Sequence, residues 1–134
     1  MIDIDHGLPA GRSPVLRVPA TPAHTNSGGD IFGGWTMSQI DIAGSIPAVM
    51  LAKGRVVTVA VNSIQFHEPV HVGDMLSLYA NIGHVGRTSI GVDIDVYAQR
   101  NPTQIECVKV ADARLTYVAV DEKGIKRELP REKE

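Results

Sequence analysis

Four strand-forming runs follow Gly54 with no helical segment among them: RVVTVAVNSIQF (55–66), DMLSLYANIGHV (74–85), TSIGVDIDVYAQR (88–100) and IECVKVADARLTYVAV (105–120). In the third, Ile90, Val92, Ile94 and Val96 alternate strictly with Gly91, Asp93, Asp95 and Tyr97. Such a strand buries one face and wets the other, as antiparallel sheets do. The fourth changes phase. Val108 and Val110 point one way, Ala113, Leu115 and Tyr117 the other, which predicts a bulge. HVGR and NPTQ read as hairpin turns, and the layout as long strands joined by hairpins.

Only one helix is available to cover this sheet. Trp35, Met37, Ile40, Ala43, Ile46 and Met50 recur near helical spacing, which predicts a helix from Trp35 to Lys53 stopped by Gly54. Pro47 removes one hydrogen bond and crowds the Ala43 carbonyl, so a kink is expected there. PVLRVPA (14–20) reads as a short edge strand and residues 21–34 as loop. The fold class is α+β: a curved antiparallel sheet wrapped around one central helix.

At 134 residues the chain is expected to form one domain, 1–134, with a loose arm at 1–13 and a charged tail at 121–134. The net charge of −2 supplies no basic field, so no nucleic-acid partner is expected. The N-terminus lacks the basic and apolar regions of a signal peptide, and no apolar run suits a membrane span. The lone Cys107 leaves no internal disulfide to form, and the expected location is the cytoplasm. It is expected in or beside the last strand.

The stretch GGDIFGGWTMSQID, residues 28–41, points to chemistry. A helix start offers unpaired N–H groups and partial positive charge, and glycines there let an oxygen approach the backbone. Asp41 lies almost two turns after Gly34, on the same face, with Ser38 and Ser45 on that stripe. An acid roughly 10 Å along the axis from an amide trap suits attack on a bound carbonyl. A solvated helix acid after an ordinary glycine turn would give the same letters. GGDIFGGWT lacks the Gly-Lys-Ser/Thr ending of a phosphate loop, and no dinucleotide fingerprint is present.

HEPVH (67–71) spells a zinc-protease motif, but that motif works only on a helix. Pro69 forces Glu68 toward extended geometry, and His67 and His71 in an extended chain stand roughly 13 Å apart. No metal is expected, and no cofactor. His24 and His84 read as surface loop residues.

TNSGGDIFGGWTMSQIDIAG, GRVVTVAVNSIQFHEPVHVGD and GRTSIGVDIDV, in that order, closely resemble the hotdog-fold acyl-CoA thioesterases of the YciA-like type. The likeness runs from about residue 15 to residue 130. It implies a hotdog fold, paired subunits with one continuous sheet, assembly into hexamers as trimers of dimers, and hydrolysis of acyl-CoA to free CoA and a carboxylic acid. It implies a catalytic acid at Asp41, a loop Asn at Asn26 facing the other subunit's acid, and a carbonyl-polarising N–H at Gly34. CoA contacts fall on Gly86, Arg87, Thr88 and Ser89, with Arg55 near the phosphates. Ile31, Phe32, Trp35 and Met37 are placed to line an acyl pocket or to join the core. Two features depart from the family: Pro47 within the helix, and Asn62 where relatives commonly carry an acid.

Two other readings of the same fold stay open. An acyl-CoA-sensing domain would keep the CoA turn and lose the acid, but Asp41 and Asn26 are both present, and no DNA-binding segment is expected ahead of the domain. A dehydratase acting on enoyl thioesters would want a site histidine. The helix carries none, which leaves only His24.

Overall fold

The computed structural model describes residues 4–131. Strand β1 spans Leu16–Pro19, helix α1 Gly33–Ala52, and strands β2 to β5 Val56–Phe66, Met75–Val85, Ser89–Arg100 and Glu106–Ala119. A short 3-10 turn, Pro22–His24, precedes the helix. All five strands form one antiparallel sheet in the order β1-β3-β4-β5-β2.

The two hairpins form where the turn chemistry places them. At β3–β4 the Gly86 amide bonds the Ser89 carbonyl, and at β4–β5 Asn101 takes a left-handed φ of 60°. The link between β2 and β3 is not a hairpin. It carries the chain from one edge of the sheet to β3, because β5 folds back onto β2 while β1 takes β3's free side. Its turn is held from beneath: Asp74, 1 % exposed, accepts the His71 amide and an Arg100 N–H at 2.7 Å, while Arg100 also donates to the Pro69 carbonyl. Asp74→Asn strips the charge from this pair and leaves a buried guanidinium uncompensated. The expected loss is about 3 kcal/mol or more, read as a fall of about 10 °C in the thermal midpoint.

The predicted phase change in β5 is a bulge. Val96 pairs with Ala111 and Tyr97 with Lys109, so Val110 is the extra residue, and Val110 and Ala111 are both buried in succession. Two further irregularities, at Val59 and Asn62, lie in the edge strand β2.

The helix meets the sheet on Thr36, Ile40, Ala43, Gly44, Ala48 and Ala52, all buried. This is not the stripe that the large apolar residues predict: Met37 and Met50 are 40 % and 74 % exposed. Small side chains let the helix axis approach the curved sheet, while bulkier ones stand on the outer side. The helix is apolar nearly all round, so periodicity alone misplaces its inner face. It runs unbroken through Pro47, and it ends at Lys53, not Gly54, in the left-handed conformation (φ 53°). Gly54 is small for another reason: a Cβ there would sit 2.8 Å from the Arg127 guanidinium, which bonds the Ala52 carbonyl at the helix end.

The arm is not loose in its described part. Gln99 donates to the carbonyls of Ile4 and His6, and Arg12 pairs with Asp95 and lies 4.9 Å over the Tyr79 ring. Gly7 packs on Cys107, whose thiol pKa burial raises. The tail turns back too, with Val120 bridging Lys126 and the Leu129 amide bonding the Arg87 carbonyl. Residues 1–3 of the arm and 132–134 of the tail lie outside the described residues.

Candidate active site

Asp41 sits halfway along α1 on the flank facing β2, half-buried. Thr58 on β2 and Tyr117 on β5 are cross-strand partners on the inner face of the sheet. The Thr58 hydroxyl donates to Asp41 Oδ1 at 2.6 Å. The Tyr117 hydroxyl donates to the Asp41 carbonyl at 2.7 Å and reaches Oδ1 at 3.3 Å. One carboxylate oxygen is thereby fixed, while Oδ2 has no protein partner among the described residues. Burial foremost, then the Asp41 charge and the hydrogen bond to it, raises the Tyr117 pKa, so the phenol stays a donor. Such an acid is oriented rather than solvated. Ser38 and Ser45 on the same stripe are spent on their own helix, each bonding a carbonyl at 2.6 Å.

Gly44 makes room for this arrangement. A Cβ on it would overlap the Tyr117 hydroxyl oxygen and come within 3.1 Å of Cε2 and Cζ, and Tyr117 is fully buried. Gly44→Ala is expected to destabilise by about 1–3 kcal/mol through overpacking. Because it pushes the phenol off Asp41, it should also lower kcat about tenfold in protein that still folds. Circular dichroism melting and steady-state turnover check the two together.

At the helix start, Phe32 provides no side-chain cap, and the amides of Gly33 and Gly34 have no hydrogen-bond partner among the described residues. They remain available to an oxygen, as unpaired first-turn groups are. The loop before them is a small closed unit. Thr25 bridges Ile31, Asn26 Oδ1 accepts the amides of Gly28 (2.9 Å) and Asp30 (3.2 Å), and His24 stacks on Trp35 with centroids 5.1 Å apart. Asn26 therefore holds its own loop with its oxygen, leaving its amide nitrogen for other work. Asn26, Ile31, Gly33, Thr36, Phe66 and Val70 are among the residues lining a cleft of about 310 Å³ beside the helix start.

Asp41 does not line that cleft. Within one chain, then, the acid and the expected Asn26 are not brought together. Asp41 lies by the start of β2, whereas the cleft lies by its end, at Phe66.

The expected CoA residues gather at the sheet end where β2 starts. Thr88 accepts the Ala119 amide, and the Val120 amide bonds the Arg55 carbonyl. The Arg87 guanidinium is paired with Glu128 at 3.3 Å. Arg55 instead lines a cavity of about 660 Å³ with Lys53, Lys123 and Arg127. Neither lysine stood out in the sequence: Lys53 closes the predicted helix and Lys123 belongs to the charged tail. Of the histidines in HEPVH, His67 bonds Asp112 at 2.7 Å and His71 bonds Asp30 at 3.2 Å, two separate carboxylates. His84 lies near the end of β3 and not in a loop, and lines a pocket of about 340 Å³ with Asp93 and Arg114. Asn62 accepts the Thr116 hydroxyl on the face away from the helix.

The model of the thioesterase superfamily matches residues 28–105, the stretch from the glycine loop through β4. The chain belongs to the thioesterase superfamily. It is 46% identical over 127 residues to the acyl-CoA thioester hydrolase YciA of Escherichia coli, covering 93% of this chain and 96% of that protein. Among solved structures, the hexameric hotdog fold thioesterase Cj0915 of Campylobacter jejuni superposes with a TM-score of 0.85 at 43% identity, over 88% of this chain and 90% of that one. An aspartate-to-alanine mutant of HI0827, a hexameric broad specificity acyl-coenzyme A thioesterase, superposes at 0.86 and 45% identity, over 90% of this chain and 88% of that one. The fold of this superfamily member is the hotdog fold, with α1 as its central helix. Among the described residues no helix is long and apolar enough to cross a membrane.

Proposed function

We propose that this chain hydrolyses acyl-CoA thioesters to free coenzyme A and a carboxylic acid, with Asp41 as the catalytic carboxylate. The observation that carries this reading is the hold on Asp41: two hydroxyls fix Oδ1 and leave Oδ2 to act. In the general-base route, Asp41 takes a proton from water as the water oxygen attacks the thioester carbon. The carbonyl oxygen gains negative charge and is met by the helix-start amides of Gly33 and Gly34. The intermediate collapses by breaking the C–S bond. The sulfur leaves as thiolate and takes up the proton to give the free thiol. Direct attack by Oδ2, through a mixed anhydride that water then opens, uses the same groups.

The two halves of the site lie at opposite ends of β2, and pairing of two copies brings them together. β2 is an edge strand, and Val59, Val61 and Phe66 along it are 55 %, 49 % and 48 % exposed. On the helix beside it Ile42 and Met50 are also exposed. An unpaired apolar edge of this kind is a template for a second strand. A twofold axis across it runs the two β2 strands antiparallel, so each start meets the other's end. Thr58 and Asp41 then face the end of the partner's strand, beside the partner subunit's Gly34 and the partner subunit's Asn26. Gly33 packs next to Phe66 at that end, its Cβ position 3.6 Å from the ring. The proposed assembly is this dimer, built further into a hexamer as in the relatives. The basic cavity at Arg55 and the turn 86–89 take the phosphates of CoA at the other end of the site. A cytoplasmic setting belongs to the same reading.

The test is thiol release from short, medium and long acyl-CoAs by the full chain, run beside Asp41→Asn. Binding of CoA without release of thiol would replace hydrolysis with sensing.

A further inference from the structure

The tail sets a carboxylate on one of the cations expected to meet CoA. Arg127 donates to the Ala52 carbonyl at the helix end (2.9 Å) and to the Val120 carbonyl (3.1 Å). Two residues on, the Leu129 amide bonds the Arg87 carbonyl at 2.9 Å, and the Leu129 side chain packs against the core. Glu128 is fastened on both sides, and its carboxylate lies 3.3 Å from Arg87 Nε.

The other cations at this end differ. Lys53, Arg55, Lys123 and Arg127 line the cavity of about 660 Å³, and none has a carboxylate partner among the described residues. Asp121, in the same wall, spends Oδ1 on the Lys123 and Ile125 amides, and Arg55 reaches only the Glu122 carbonyl. Arg87 is the cation that carries an acid. Both partners of that pair stand in solvent, with side chains 80 % and 58 % exposed, so the pair is weak and exchangeable. A phosphate brings more charge and more acceptor oxygens to a guanidinium than a carboxylate does.

We infer that Glu128 is an internal competitor for a CoA phosphate at Arg87, which lowers the affinity for CoA thioesters and for the CoA product alike. The inference rests on the placement of CoA given above. In the free protein Glu128 occupies Arg87. On binding, the phosphate takes its place and the carboxylate turns to solvent. Because Arg127 and Leu129 stay anchored, the displaced carboxylate remains in reach at high effective concentration. It reclaims Arg87 as CoA leaves.

The experiment is calorimetric titration of free CoA into the full chain, Glu128→Gln, Arg87→Gln, the double variant and Glu106→Gln. Glutamine keeps the shape of Glu128 and removes its charge. Glu128→Gln is expected to tighten Kd about two- to fivefold, the range that an exposed pair supports. Arg87→Gln should weaken Kd, and Glu128→Gln should then add nothing, since the carboxylate acts only through that guanidinium. Glu106→Gln removes the same charge from an exposed position at the far end of β4 and β5, and should leave Kd unchanged. An unchanged or weaker Kd in Glu128→Gln, equal tightening in Glu106→Gln, or tightening that persists without Arg87 overturns the inference. Those outcomes leave the hydrolase reading in place, which thiol release tests separately. Failure of the wild-type chain to bind CoA overturns both.

Discussion

Asp41→Asn is expected to lower acyl-CoA hydrolysis by about 10²–10⁴-fold, the usual loss when a correctly placed base is removed. It should do so with little change in stability. The amide oxygen of asparagine can still accept from Thr58 and from Tyr117, so both hydrogen bonds to Oδ1 have an acceptor after the substitution. What asparagine lacks is the second, negatively charged oxygen, which is the one the fold leaves unoccupied. CoA binding should persist, since the basic cavity at Arg55 lies at the helix end and does not include Asp41. The decisive measurement pairs kcat for a responsive acyl-CoA with calorimetric binding of free CoA. An asparagine variant that turns over at near wild-type rate would remove the mechanism, and one that has lost its fold would show that Asp41 is there for packing.

Much of this molecule could be read from its sequence, for identifiable reasons. The alternation in β4 and the phase change at Val110 are local patterns, and they gave the strands and the bulge in place. The inner face of the helix was legible only at Ile40 and Ala43. Gly44, Ala48 and Ala52 complete it because they are small, and hydrophobicity scales favour the larger Met37 and Met50. The link from β2 to β3 was read as a hairpin because it is short, but pairing depends on what β5 does forty residues later. Asp41 stood out as an acid in an apolar helix. Its supports did not: Thr58 and Tyr117 are 17 and 76 residues away, and each is an ordinary strand residue until the register brings them side by side. Gly44 carried no signal in the sequence, and the phenol behind it explains its size.

Mixing two crippled variants should restore activity, and this is the strongest expected consequence of the site's division along β2. Asn26→Ala removes the oxygen that accepts the Gly28 and Asp30 amides, and with it the amide nitrogen of a residue that lines the cleft. It should lower turnover at least tenfold by itself, and Asp41→Asn more. Suppose each site takes Asp41 from one protomer and Asn26 from its twofold mate. A heterodimer of the two variants then holds one site with both changes and one with neither. Random pairing of equal amounts makes half the dimers mixed, so roughly a quarter of all sites are wild type in composition. Co-refolding the two is expected to return that fraction of wild-type turnover, and the doubly tagged heterodimer isolated after co-expression about half. Simple mixing of the folded proteins should return less, because the β2 seam must open for subunits to exchange. If the acid and the asparagine served sites within single protomers, every site in the mixture would carry one lesion. Activity would then stay at the average of the two parents. Recovery to roughly a quarter cannot arise from that arrangement, since no protomer in the mixture has both residues.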